Sequence, residues 1–263
     1  KEIEISEKEE IGALLAILLH DIGHGPFSHT LEHSILDDVN HENISSHLMH
    51  QINAQMNGKL SLAIQIFENK YYRPFFHQLV SSQMDMDRLD YLRRDSFYTG
   101  VSEGTVGIER IIQMLNVRNN QLIIDQKGIY SVEKFLMARR FMYWQVYLHK
   151  TSIAADELLL NILKRAKALI DTQETIKVSP YLQFFLENSF SKHDLSNPDV
   201  IENFCNLDDS EIYSAIKIWQ NSNDKTLSTL CKMLINRDLL KIELFDSPIS
   251  RQSVNEKISE TSK

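Results

Sequence analysis

In the run Leu18-Leu19-His20-Asp21-Ile22-Gly23-His24-Gly25-Pro26-Phe27-Ser28-His29, an apolar stretch ends in adjacent His and Asp, and two more histidines follow. Imidazole nitrogen and carboxylate oxygen are ligand types that borderline and hard divalent cations accept. Neighbouring ligands reach one ion only where a helix ends and the backbone turns, and Gly23 and Gly25 supply that freedom. The run reads as half of a metal site. A second polar set lies in Met84-Asp85-Met86-Asp87-Arg88-Leu89-Asp90-Tyr91-Leu92-Arg93-Arg94-Asp95, where helical spacing puts Asp87, Tyr91 and Asp95 on one stripe. An acid, a phenol and an acid are poor core material, so the stripe is expected to line a pocket. Arg139, Tyr143 and Tyr147 repeat the same spacing, with guanidinium suited to phosphate and phenols suited to a sugar or base.

The elements that must position these residues are helical. Periodicity predicts helices near 7–20, 27–36, 41–53, 57–67, 71–81 and 84–95, and a short one near 106–114. Two apolar pieces around Asn119-Asn120 predict a small hairpin. One long helical pattern follows from about 129 to 169, then helices near 180–188, 198–205, 209–219 and 223–234. Lys241-Ile242-Glu243-Leu244-Phe245 reads as a strand ahead of a polar, Ser-rich end. No internal repeat is visible.

Composition agrees with a largely α-helical protein: 263 residues, 43% hydrophobic, with 8 Gly and 5 Pro as the supply of turn residues. The net charge of -8 argues against general nucleic-acid binding, which needs a basic surface, but leaves room for a small phosphorylated substrate. The most apolar run, Ile11 to Leu19, is too short for a bilayer and follows an acidic stretch, so no membrane association is expected. Cys205 and Cys231 have no metal-ligand spacing, read as buried thiols without chemistry and suit a reducing cytoplasm. The chain opens on Lys1 rather than Met, and residues upstream are expected.

A His-Asp pair alone is ordinarily a helix-end histidine beside a solvated acid. Joined to Gly-His-Gly-Pro-Phe-Ser-His, to His41-Glu42, to Asp87-Arg88-Leu89-Asp90-Tyr91 with Asp95, and to the Arg139, Tyr143, Tyr147 set ahead of His149-Lys150, it resembles the HD-domain metal-dependent phosphohydrolases. Within them the chain is most similar to the deoxynucleoside triphosphate triphosphohydrolase branch, over roughly residues 7 to 165. The resemblance implies an all-α HD-domain fold with a small β-hairpin insertion and a partial C-terminal extension. It implies an HD phosphohydrolase domain over 1–170, a helical extension over 171–240, and the start of a small C-terminal element or tail over 241–263.

By the same resemblance His20, Asp21 and Asp87 bind a divalent metal ion (Mg, Mn, Fe or Zn), and a fourth ligand, a histidine on an earlier helix, precedes this chain. His24, His29 and His41 match positions near the scissile phosphate, and Glu32 stands where relatives carry an Asp that orients a catalytic histidine. Arg88, Tyr91 and Arg139 match positions that hold the triphosphate, Asp95 the one that meets the sugar 3′-hydroxyl, and Tyr147 an aromatic near the sugar. Tyr143 replaces a histidine of the pattern and Leu148 a glutamine near the base. A histidine with a carboxylate partner, such as His29 with Glu32, suits proton transfer near neutral pH. The implied reaction is metal-dependent hydrolysis of a dNTP to deoxynucleoside and inorganic triphosphate. Alternatives are HD chemistry on a monophosphate, a cyclic nucleotide or guanosine tetraphosphate, and a non-catalytic nucleotide-binding scaffold. A homo-oligomer, dimer or tetramer, in the cytoplasm is the expected setting.

Overall fold

A computed structural model describes residues 3–32, 39–243, 245 and 247–261. The helices in chain order are α1 (Glu7–Leu19), α2 (His41–Gln55), α3 (Ser61–Phe67), α4 (Phe75–Val80), α5 (Met86–Thr99) and α6 (Ile108–Met114). After strands β1 (Leu115–Arg118) and β2 (Gln121–Ile124) come α7 (Ile129–Met142), α8 (Lys150–Asp171), α9 (Pro180–Glu187) and α10 (Pro198–Cys205). Then follow α11 (Asp209–Trp219), α12 (Lys225–Asn236) and α13 (Arg251–Thr261). The fold is all-α with one hairpin, as expected, and among the described residues no helix is long and apolar enough to cross a membrane.

Local chemistry explains most boundaries. Ser6 and Glu9 form a capping box at the start of α1, Asn40 caps α2, and Asp85 caps α5 by accepting from the Arg88 amide. Gly100, in the left-handed region at φ 72°, ends α5. Asn119 and Asn120 both take positive φ, which a two-residue hairpin turn demands, and Leu115 pairs with Ile124 in antiparallel register.

Among the described residues, the buried hydrophobic side chains form three clusters. One joins Ala16 of α1 to Met49, Ile66, Phe75 and Phe76; the second joins Leu89 and Leu92 of α5 to Phe135 and Met142 of α7. The third runs from Leu31, Val39 and Ile44 through α8 to α12, around Ile162 and Trp219. Cys231 is buried there, its thiol pushed up to about 12 by burial, whereas Cys205 is exposed rather than buried.

Several expectations need correction. The pattern over 129–169 is two helices: after α7 the backbone widens into a π turn at Tyr143–Tyr147, and His149 turns extended and caps α8, its Nδ1 accepting from the Thr151 amide. Helix 71–81 shrinks to Phe75–Val80 behind Pro74. Described residues of 241–245 form no strand, because an edge strand needs a partner and none pairs with it; α13 follows instead. Of the helix expected over 27–36, Ser28–Thr30 form a 3-10 turn, and residues 33–38, His33 included, lie outside the described residues.

Glu9 serves two purposes. One carboxylate oxygen takes the Ser6 amide and hydroxyl, and the other takes Tyr71 at 2.8 Å and Arg73 at 2.6 Å, tying α1 to the segment ahead of α4. Burial opposes ionisation, but hydrogen bonds from the Ser6 amide, Arg73 and Tyr71 outweigh it and hold the carboxyl at about 2 instead of 4.5. The stabilisation is therefore full above pH 4.5 and is lost as pH falls toward 2. Glu9→Ala, which strands the buried Arg73, is expected to cost about 3–5 kcal/mol in urea unfolding at pH 7. The gap between wild type and Glu9→Gln should narrow across that acid window; a gap constant with pH contradicts the assignment.

Candidate metal centre and substrate cleft

His20 caps the C-terminal end of α1, and its Nδ1 lies 2.6 Å from the Ile17 carbonyl oxygen. A carbonyl only accepts, so Nδ1 carries a proton, and in the neutral ring the lone pair is on Nε2. That Nε2 is buried and has no hydrogen-bond partner among the described residues; it lies 3.3 Å from Asp21 Oδ1 and 3.9 Å from Asp87 Oδ1. Asp87 arrives from the first turn of α5, whose start is held by Asp85 accepting from the Arg88 and Ser82 amides at 2.7 Å and 2.9 Å. Burial raises the Asp87 pKa, with Asp21 and Asp85 adding repulsion, while His20 opposes. Two facing carboxylates and an orphaned imidazole nitrogen, with ligand atoms all within 4.8 Å, fit a divalent cation.

Beside this cluster stand three imidazoles. His24 and His41 stack at 4.1 Å with 14° between their planes, and His29 meets both edge-on at 4.8 Å and 5.2 Å. Their nitrogens also come within 4.8 Å of one another. Imidazole lone pairs lie in the ring plane, however, so the nearly parallel His24 and His41 cannot aim at one ion, and the group suits protons and anions instead. Glu32 accepts from the His41 amide at 2.7 Å and sits 2.7 Å from His41 Nδ1, against 3.3 Å from His29 Nδ1. The expected His29 partner is thus shared, and His41 holds the shorter contact. Burial of Glu32 works against ionisation, but these bonds hold its carboxyl at about 2. The His24 pKa is raised by its bond to Asp21.

The α5 stripe forms one wall of a cleft of about 570 Å³ that also holds His20, Asp21, His24, His29 and His41. Tyr143 and Tyr147 enter from the π turn, and Tyr147 donates to Asp95 Oδ2 at 2.6 Å. Burial, then that bond, raises the Tyr147 pKa, and Tyr91 is raised by burial. Arg88 lines the cleft, its Nε donating to Ser82 O at 2.7 Å and to Asp85 Oδ2 at 3.1 Å. Arg139 is the expected substrate residue that does not reach the wall. It donates to Gln83 at 3.2 Å, and its guanidinium carbon lies over the Tyr143 ring, 5.8 Å from the centroid. Arg93 and Arg94 pair with Glu109 and Asp90 on an exposed face.

Sequence reasoning missed Asp85, whose signal was its place three residues before Arg88 at a helix start, and Ser45. Gly23 donates its amide to the buried Ser45 hydroxyl at 2.9 Å. A Cβ at Gly23 would meet the His41 carbonyl and the Ser45 nitrogen at 2.3 Å each, so α2 approaches the ligand turn as closely as glycine permits.

The HD domain model matches residues 2–92 and the HD associated region model matches 106–180, and the chain belongs to the HD-domain family. A crystal structure of a phosphohydrolase from Bacteroides thetaiotaomicron superposes with a TM-score of 0.93 at 53% identity, over 98% of this chain and 66% of that one. The protein YwfO of Bacillus subtilis is 35% identical over 251 residues, 92% of this chain and 55% of the relative. The deoxynucleoside triphosphate triphosphohydrolase SAMHD1 homolog of Dictyostelium discoideum is 27% identical over 230 residues, 78% of this chain and 44% of the relative. The chain thus spans about half the length of these two curated relatives.

Gly23→Ala is expected to destabilise the protein by about 1–3 kcal/mol through overpacking, because its neighbours are backbone atoms that cannot swing aside. Thermal melting and elemental analysis check this together. An unchanged midpoint with unchanged divalent metal content contradicts the close approach.

Proposed function

We propose that this chain is the catalytic part of a metal-dependent nucleotide phosphohydrolase that cleaves deoxynucleoside triphosphates into deoxynucleoside and inorganic triphosphate. The observation that carries the reading is one cleft with the His20, Asp21, Asp87 cluster at one end and the Asp95–Tyr147 pair at the other. Those ends are eight residues apart on α5, about 12 Å at 1.5 Å per residue, which suits a phosphoryl group at one end and a sugar at the other. Residues 1–170 form the catalytic domain in this reading, and 171–240 extend it.

His20, Asp21 and Asp87 would hold the ion, which when bound polarises a phosphoryl oxygen and lowers the pKa of water. The remaining steps belong to the side chains. Arg88 neutralises phosphate charge, its guanidinium oriented by Ser82 and Asp85. His24, biased toward its protonated form by Asp21, stabilises the anion. Hydrolysis at the α-phosphorus places a hydroxyl on phosphorus and a proton on the departing 5′-oxygen. His41 and His29, both tied to Glu32, are the groups that can deliver that proton. With Oδ2 of Asp95 engaged by Tyr147, Oδ1 is left to accept from the sugar 3′-hydroxyl.

Incubation with each dNTP in Mg²⁺, Mn²⁺ or Fe²⁺, with products separated by chromatography, is expected to yield deoxynucleoside and inorganic triphosphate. Deoxynucleoside monophosphate with pyrophosphate, or no turnover with any of the three metals, refutes the reading. Asp95→Ala removes a charge-assisted hydrogen bond of about 1.5–3 kcal/mol and is expected to lower kcat/KM by about 10–100-fold. Asp87→Ala is expected to lose bound metal in elemental analysis, a readout independent of turnover.

A further inference from the structure

Between Gly25 and His29 the backbone is strained. Phe27 sits at φ 53° and ψ 24°, and Ser28 follows at φ 45°. Two consecutive left-handed residues, one of them a bulky aromatic, are costly and persist only where surroundings over-determine them. Within the turn, the Ser28 amide donates to Gly25 O and the Thr30 amide to Phe27 O, each at 3.0 Å. Those local bonds are present in many relaxed turns and do not account for the conformation.

The ties that do so come from far along the chain. The Phe27 amide donates to Asp209 Oδ1 at 2.7 Å, across 182 positions. Its ring packs 5.5 Å from Tyr213, one turn further along α11, and against the cluster of α8 to α12. Thr30 Oγ1 donates to Asp156 of α8 at 2.9 Å. A Cβ on Gly25 would lie 3.2 Å from the Phe204 ring of α10, so this stretch also leans on a third helix. Asp209 is not needed to cap its own helix, since Asp208 does that by accepting from the Glu211 amide at 3.0 Å.

We propose that Asp209 and Phe27 are positioning residues: α11 clamps the 24–30 turn in its left-handed conformation and thereby sets His24 and His29 against Glu32 and His41. The assignment rests on the phosphohydrolase reading above. Asp209, Tyr213 and Phe204 lie beyond both segments matched by the family models, so the clamp is contributed by the part of the chain outside them. His29 lies two residues after Phe27 and His24 three before it, so release of the strained pair changes the spacing between the two rings while the His20, Asp21, Asp87 cluster keeps its own anchors.

The test compares Asp209→Ala with Asp209→Asn, whose amide oxygen can still accept from Phe27. Asp209 is exposed, and both variants are expected to fold by circular dichroism. Asp209→Ala should lower kcat for a dNTP at least tenfold with KM changed less than threefold and metal content unchanged. Asp209→Asn should restore kcat to within threefold of wild type. Hydrogen exchange followed by NMR supplies an arm that needs no turnover: the Phe27 amide should exchange at least tenfold faster in Asp209→Ala than in wild type. Unchanged Phe27 protection, or wild-type kcat in Asp209→Ala, or an Asp209→Asn variant as impaired as Asp209→Ala, overturns the proposal. Wild-type protein inert toward every dNTP sinks the phosphohydrolase reading, and the exchange arm still decides whether the clamp exists.

Discussion

Two carboxylates, Asp21 and Asp87, face a buried imidazole nitrogen that has no hydrogen-bond partner among the described residues, and much of the surrounding architecture serves to hold them there. Left to itself such a cluster would spread, since like charges repel and an unpaired buried acceptor is costly. Each member is therefore fixed from behind. The Ile17 carbonyl orients His20, the Asp85 cap fixes the start of α5 that carries Asp87, and the Gly23–Ser45 contact locks the turn after Asp21 onto α2. A cation is the natural complement of this geometry.

The same economy governs the rest of the cleft. Glu32 meets two histidines from different parts of the chain, so one carboxylate orients two of the three imidazoles. Tyr143 and Tyr147 line the cleft from the π turn after α7, and the Tyr147 hydroxyl reaches Asp95 of α5. The irregular elements, a widened helical turn and a left-handed pair at Phe27 and Ser28, are found where the polar groups converge.

Much was legible in the residues. The His20-Asp21 run, the Asp87, Tyr91, Asp95 stripe and the Asn119-Asn120 turn each state a local geometry, and the structure places them accordingly. What was not legible involved competition between local preference and partners. Lys241 to Phe245 has strand composition, but composition supplies no neighbouring strand to pair with. The pattern over 129–169 is apolar enough to read as one helix, and the break at Tyr143 to His149 is decided by bonds to α5 and by the His149 cap. Arg139 has the right spacing, yet its guanidinium is taken up by Gln83 and the Tyr143 ring and is not among the groups lining the cleft.

Periodicity, caps and turn residues act over a few positions, so the helical class, the hairpin and the chemical types available at the centre are written in the residues themselves. That Glu32 reaches His41 as well as His29, and that Asp209 reaches Phe27 from 182 positions away, is settled by the packing of the helices. Hydrogen bonds of that kind depend on ångström distances between elements distant in the chain. No residue pattern records such distances until the helices have packed.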